Sequence, residues 1–378
     1  MITYALMSFS IGIWTNYRSL WLESRNISLD NISLILSISF ICSAIVSIII
    51  SLVSSKIKIK NLIIEIILIR VISLLILRYT NNLYTLIVCV LLSIICELIY
   101  MLSSYPLLSF IDDSDEGYRK KITIEYLSND IGIIMCGILF GFSIGNYIIN
   151  YDSFLIISLI SSLLSIIFFV YYNDKNILRR KDNNTLQISI KNIFSLKSNR
   201  IYLFSCFFVR VSYGLVFDFI MIILTNKLNF SLSLASIFII TSNMIGNLAC
   251  IFFNKLSDKL SVKKSILLKF GIRAVFYLLA FSFNTSLSFV LCICISYITS
   301  KILDNKVTGV FIRENSNKDK FLFENIRYFI ECLGEGVGAY LAGLFLNISL
   351  RILFLYASII TIIQTIILIY NTRFIKKY

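Results

Sequence analysis

Several ionisable side chains lie inside stretches that are otherwise apolar: Arg18, Arg70, Glu97, Glu125, Asp130, Arg210, Asp218, Lys269, Arg273, Arg327, Glu331 and Glu335. Charge is costly to remove from water, so such groups must pair, meet a charged ligand or carry protons. The chain has no histidine. Any proton handled inside these stretches therefore falls to a carboxylate. Glu331 and Glu335 are four residues apart and share one helix face, an acidic site for protons or for a cationic solute. Arg327 stands four residues before Glu331 and offers the alternative of an internal ion pair. Glu97 has a similar alternative in Arg70. Asp130 stays a separate candidate.

Other chemistries are absent from the sequence. All nine cysteines fall in apolar runs without paired ligand spacing, so they are expected to be small apolar helix residues, with no metal and no disulfide. No nucleophile motif and no G-x-x-x-x-G-K-[ST] loop occurs. Asp112, Asp113, Asp115 and Glu116 lack the spacing of a calcium loop and read as a solvated turn. The chain is expected not to be an enzyme and to need no cofactor.

The elements that must position the charged residues are set by composition. Of 378 residues, 58% are hydrophobic and 15% charged, where soluble domains carry about 25% charge. Runs long enough to cross a bilayer, about 20 residues each, recur throughout. Twelve spans are predicted: 2–22, 32–53, 61–78, 83–104, 122–147, 153–172, 201–224, 232–253, 265–283, 286–303, 322–347 and 352–371. Lipid satisfies no backbone polar group, so these runs must be helices. The longest polar break, rich in Lys and Arg, divides the chain into a six-helix half (1–172), a cytoplasmic basic linker (173–200) and a second six-helix half (201–378).

Loops after odd-numbered spans carry only Arg25, Arg78, Lys227 and Arg351, while most remaining Lys and Arg lie in the other loops and the C-terminal tail. That asymmetry places both termini in the cytoplasm of a multi-pass protein of the plasma or inner membrane. No cleavable leader is expected. The net charge of +14 is spread over short loops and makes no continuous basic face, which argues against nucleic acid.

The halves look related. Aligning Ile27-Ser28-Leu29 with Phe230-Ser231-Leu232 brings Ile69-Arg70 onto Ile272-Arg273, and Ser51–Asn61 onto Asn254–Lys264. Almost the same offset brings Gly132 and Gly141 onto Gly334 and Gly343. This points to a duplicated six-helix unit. Arg70 and Arg273, at matching places, suggest a structural task in each half.

Asn254–Lys264 reads N-K-L-S-D-K-L-S-V-K-K. It resembles the loop signature of the major facilitator superfamily, G-x-L-x-D-R-x-G-R-[RK]. Leu256 and Asp258 match, Lys259 replaces the first arginine, Lys263 and Lys264 supply the basic pair, and Asn254 and Ser261 replace the glycines. In the first half Ser55 stands where Asp258 would be. Gly137, Gly141 and Gly145 of the fifth span loosely resemble the glycine-rich motif of the superfamily's drug/proton antiporters, without its proline. Close helix packing is the other reading of this stripe and of Gly334, Gly336, Gly338 and Gly343.

The resemblance implies an all-α membrane protein with twelve transmembrane helices in two pseudo-symmetric six-helix bundles. It also implies alternating access to a midplane site lined by spans 1, 4, 7 and 10. On that footing Glu97 and Arg210 are candidates for proton coupling and substrate recognition. Arg18 and Asp218, in the outer parts of their helices, form an outer gate or meet substrate. Otherwise Arg18 snorkels to headgroups and Asp218 is wet. Asp258, with Lys259, Lys263 and Lys264, forms a conformational latch. Trp14, Tyr17 and Trp21 line the cavity, with an anchor at the interface as the simpler reading of Trp21. The expected function is secondary transport of a small molecule, coupled to protons, with export of drug-like or peptide-derived compounds preferred. Uptake of a sugar or nucleoside-like solute, and a non-transporting sensor or immunity partner, are the alternatives. The protein is expected to be monomeric in the lipid bilayer.

Overall fold

The computed structural model describes residues 2–53, 59–109, 131, 152–171, 186–257, 259–303, 307 and 320–374. Among the described residues there are helices and no strands. The helices are α1 (Ile2–Ser24), α2 (Leu29–Val53), α3 (Ile59–Tyr79), α4 (Leu83–Ser109), α5 (Asp152–Val170) and α6 (Leu186–Ser195). They continue with α7 (Lys197–Lys227), α8 (Leu232–Ser257), α9 (Val262–Phe283), α10 (Ser286–Lys301), α11 (Lys320–Ile348) and α12 (Leu350–Asn371). Eight of them, α2, α4, α5, α7, α8, α9, α11 and α12, are long and apolar enough to cross a membrane, and α10 is apolar but shorter. The span expected at 122–147, with Glu125, Asp130 and its glycine stripe, lies outside the described residues.

Apolar side chains such as Ile45, Ile72, Leu248 and Ile366 stay exposed on the helix surfaces. A helix in lipid can leave them so, because lipid is as apolar as they are. The helix ends follow local rules. Ser261, Thr285 and Ser349 cap α9, α10 and α12 by accepting backbone N–H bonds from Lys264, Ser288 and Ile352. Asn26, Asn229 and Asn284 take left-handed backbone (φ 59, 58 and 49°) after α1, α7 and α9, a conformation asparagine adopts readily. Asn26 and Asn229 directly precede the two tripeptides that align the halves, so the repeat extends to backbone conformation.

The chain forms two compact units: Met1–Asp182 with Phe230–Ile237, and Asn183–Asn229 with Phe238–Tyr378. In the first, Met7, Ile11, Ile63, Ile67, Tyr100 and Phe169 pack into a core. In the second, Tyr202, Leu203, Phe270, Phe323 and Leu368 do so, joined by Ile193 of α6. The later part of the expected linker is thus a built part of the second unit. Helix α7 begins at Lys197, earlier than the polar residues Lys197–Arg200 suggest, because Asn199 is buried and donates to the Ile193 carbonyl at 3.0 Å.

Candidate functional site

In the first unit the polar centre is Arg70 of α3, with 0% exposure. Its Nη2 donates to Glu97 Oε1 of α4 at 3.2 Å. Its Nη1 donates to the Ser10 and Ser162 hydroxyls, and Nη2 reaches the Ser10 carbonyl and, at 3.4 Å, the Ser158 hydroxyl. Ser10 is hydrogen-bonded in turn to Ser158 and Ser162 of α5, so α1, α3, α4 and α5 are tied around one guanidinium. Arg18 and Thr15 of α1 also face Glu97. The ion pair with Arg70, set second in the sequence analysis, is therefore where Glu97 sits. A charge this buried is tolerated when an opposite charge and nearby oxygens meet it, as they do both Nη atoms here, while the buried Nε has no hydrogen-bond partner.

Arg18 does not snorkel. It is 2% exposed and lies over the Phe40 ring at 5.2 Å. Nor is Trp21 an interfacial anchor. It is buried, and its Nε1 donates to Asp152 Oδ1 at 3.2 Å, an oxygen that also takes Arg25 at 2.9 Å. The acid at the start of α5 draws these side chains inward. Trp14 is buried and donates to Ser93, and Tyr17 is buried and stacked on Phe154 at 4.4 Å.

The second unit holds a larger network across α7 and α11. Arg210 donates from Nε to Glu331 at 3.0 Å and lies 2.9 Å from the same oxygen through Nη2. Its Nη1 reaches Glu335 at 3.3 Å. Arg327 bonds the other Glu331 oxygen at 2.6 Å and Glu324 at 2.6 Å. Arg210 is 29% exposed and covers the Tyr213 ring. The alternative set out for Glu331, an ion pair with Arg327, occurs, and the contact of Glu335 with Arg210 is one the sequence reading did not name. Glu324 was missed, although its position three residues before Arg327 extends the same helix face.

These charges meet because α7 and α11 cross with almost no side chain between them. A Cβ on Gly214 would lie 2.6 Å from the Glu335 carbonyl oxygen. One on Gly334 or Gly338 would run into the Phe207 or Val211 carbonyl oxygen. Gly334 and Gly338 of the eleventh span are thus packing glycines, as the close-packing reading held for them.

Arg273, the counterpart of Arg70, is also buried but has a different partner. It donates to the Thr299 hydroxyl at 2.8 Å and to the Ser296 carbonyl at 3.5 Å. Ser212 and Thr361 share a hydrogen bond at 3.0 Å, echoing Ser10 and Ser158. Asp218 is buried in a 3₁₀ turn, Phe217–Phe219, that interrupts α7. Lys269 is buried in the wide turn Leu267–Gly271 of α9 and bonds the Ser300 carbonyl at 3.1 Å. At the α8–α9 loop Lys259, Lys263 and Lys264 are exposed, and Ser261 in a glycine place of the signature serves as the cap. Asp258, Asp130 and Ser55 lie outside the described residues. Among the described residues no group of His, Cys, Asp and Glu is arranged to hold a metal ion.

The chain matches the family model described as Major Facilitator Superfamily over residues 1–303. Among curated proteins none matches it. Solved structures with a similar fold include a mutant form of the nucleoside transporter NupG, with TM-score 0.77 and 13% identity over 99% of this chain and 98% of that one. A D-xylose-proton symporter is similar with TM-score 0.77 and 10% identity, over 97% and 95% of the two chains. A bacterial homolog of the human lysosomal transporter Spinster, in an inward-facing and occupied conformation, gives TM-score 0.69 and 12% identity over 98% and 95%. At these identities the likeness concerns the fold, an all-α, twelve-helix membrane protein. The family match over most of the length goes further: the chain belongs to the Major Facilitator Superfamily.

Proposed function

We propose that the chain is a proton-coupled secondary transporter that moves a small organic solute by alternating access. One observation carries the coupling: inside the membrane helices α7 and α11, arginines and carboxylates share partners, with Arg210 partly exposed. Ionisable groups inside spans mark substrate or proton pathways. The sequence has no phosphate-binding loop that would supply nucleotide energy. The proposed coupling and recognition residues are Arg210 and Glu335, with Arg18, Asp218 and Asp130 as further candidates. Glu97 moves to a structural role on the strength of its bonds to buried Arg70. The inner loop Asp258, Lys259, Lys263 and Lys264 is the proposed conformational latch. The Lys and Arg asymmetry supports cytoplasmic termini in a plasma or inner membrane.

The proposed direction is export of a drug-like or peptide-derived compound. The resemblance of Gly137, Gly141 and Gly145 to the antiporter motif supports it. Uptake of a sugar or nucleoside-like solute is the second reading.

Proteoliposomes with an imposed pH gradient, offered fluorescent drug-like cations, short peptides, nucleosides and sugars, test both. Flux of one class should follow the gradient, in the antiport sense for export and the symport sense for uptake. Asp258→Asn should slow it. A protein that moves none of these under either gradient and instead binds a partner protein tightly would sink the transporter reading in favour of a sensor or immunity partner.

A further inference from the structure

Two helices of the second unit meet end to end at one level. α7 starts at Lys197 and α12 stops at Asn371, whose side chain donates to the Ser198 carbonyl at 2.9 Å. Both helices are long and apolar enough to cross a membrane, so this level is where hydrocarbon gives way to headgroups. Lys197, Arg200 and Arg373 are exposed here, and Lys197 Nζ lies 4.1 Å from the centre of the Phe374 ring. α6 adds an exposed Lys191. That helix is about 15 Å long, too short to span, and it is fixed in place by Ile193 in the core and by the Asn199 bond to its last turn. Neither 186–200 nor 366–374 contains an acidic residue.

Next to this cationic rim the same helix faces turn apolar. Phe204 stands seven residues from Lys197, two turns along one face of α7. Tyr370 and Ile366 stand one and two turns before Phe374 on α12. All three are exposed, and the Tyr370 ring meets the Phe374 ring edge-on at 5.2 Å. Phe194 and Leu196, beside the lysines of α6 and α7, are exposed as well.

We propose that this corner of the second unit is a seat for an anionic phospholipid. The headgroup phosphate lies against Lys197, Arg200 and Arg373, and an acyl chain runs along Phe204, Tyr370 and Ile366. Charge selects the class: three cations without a local acid attract a headgroup of net negative charge over a zwitterionic one. The apolar strip selects the source, because a free phosphate in water has nothing to lay along it. Phe194 and Leu196 enter the interface, as the apolar side of a short amphipathic helix does. The inference needs only the membrane fold and is independent of solute, direction and coupling.

Native mass spectrometry of the full chain in detergent, with equal phosphatidylglycerol and phosphatidylcholine added, reads the retained lipid. The wild-type protein should keep phosphatidylglycerol in preference. Lys197→Gln with Arg373→Gln should lower that preference about tenfold. Lys197→Arg with Arg373→Lys should keep it, which separates charge from misfolding. Lys227→Gln with Arg351→Gln removes the same charge at the opposite ends of α7 and α12 and should leave the preference unchanged. Equal retention of the two lipids by wild type overturns the seat, as does a preference that survives loss of Lys197 and Arg373. So does a preference that falls as far in the Lys227 and Arg351 pair, which would make net charge the cause. Displacement of the bound lipid by water-soluble glycerol phosphate would make the site one for free phosphate and overturns it too.

Discussion

Arg70 and Arg210 are both arginines inside membrane helices, yet the two units use them differently. Arg70 is sealed, with an acid, three serine hydroxyls and a carbonyl around it drawn from three other helices. Arg210 is partly exposed and shared between two carboxylates of one neighbouring helix, one of which a second arginine also holds. A cation whose oxygens come from every side is a tie-point, because each helix loses a bond if it moves. A cation offered a choice of acids within one helix pair is able to change state while the backbone stays in place. The difference separates scaffold from candidate machinery more sharply than burial alone does.

The largest effect should come from breaking the tie-point. Arg70→Met would leave Glu97 buried without its ion-pair partner, and losing one member of a buried pair costs about 3–5 kcal/mol. Arg210→Met should cost less, about 1–3 kcal/mol, since Arg327 still answers Glu331. Unfolding of the purified variants in detergent measures both, and equal losses would erase the distinction between the units. A comparable loss, about 1–3 kcal/mol, is expected for Gly338→Val, which forces a side chain into the Val211 carbonyl. A variant as stable as wild type would mean that the crossing has slack and that Arg210 is not held in place by it. The smallest effect belongs to Asp152→Asn, whose bonds to Trp21 and Arg25 lie at a half-exposed site. Such pairs contribute at most about 1 kcal/mol and weaken with salt. A salt-insensitive loss as large as that of Arg70→Met would make the end of the first unit a second tie-point.

The helices were legible because lipid leaves an apolar run no other backbone solution. Their positions follow from run length, and the deviations are local: Asn199 reads as loop because it is polar, but its side chain closes a turn on α6. The charge on each site residue was also legible. Partners on other helices were less so: Arg70 was named for Glu97 only as an alternative, and Arg210 was not matched to Glu331 and Glu335, since the sequence does not say which faces meet. The pairs along one helix were readable, as Arg327, Glu331 and Glu335 show, because four residues make nearly one turn. The serine bed around Arg70 was hidden for another reason. Ser39, which bonds only its own helix at the Ile35 carbonyl, and Ser10, which joins helices, are the same residue type in similar apolar runs.

The glycine contact between α7 and α11 has a mechanical consequence. Two helices whose backbones touch at Gly214, Gly334 and Gly338 cannot slide a turn past each other without forcing larger residues through the contact. They bend and tilt as one stiff beam. Any force that a change of charge at Glu335 generates is then handed on whole to the helices flanking the beam, instead of being dissipated as play within it.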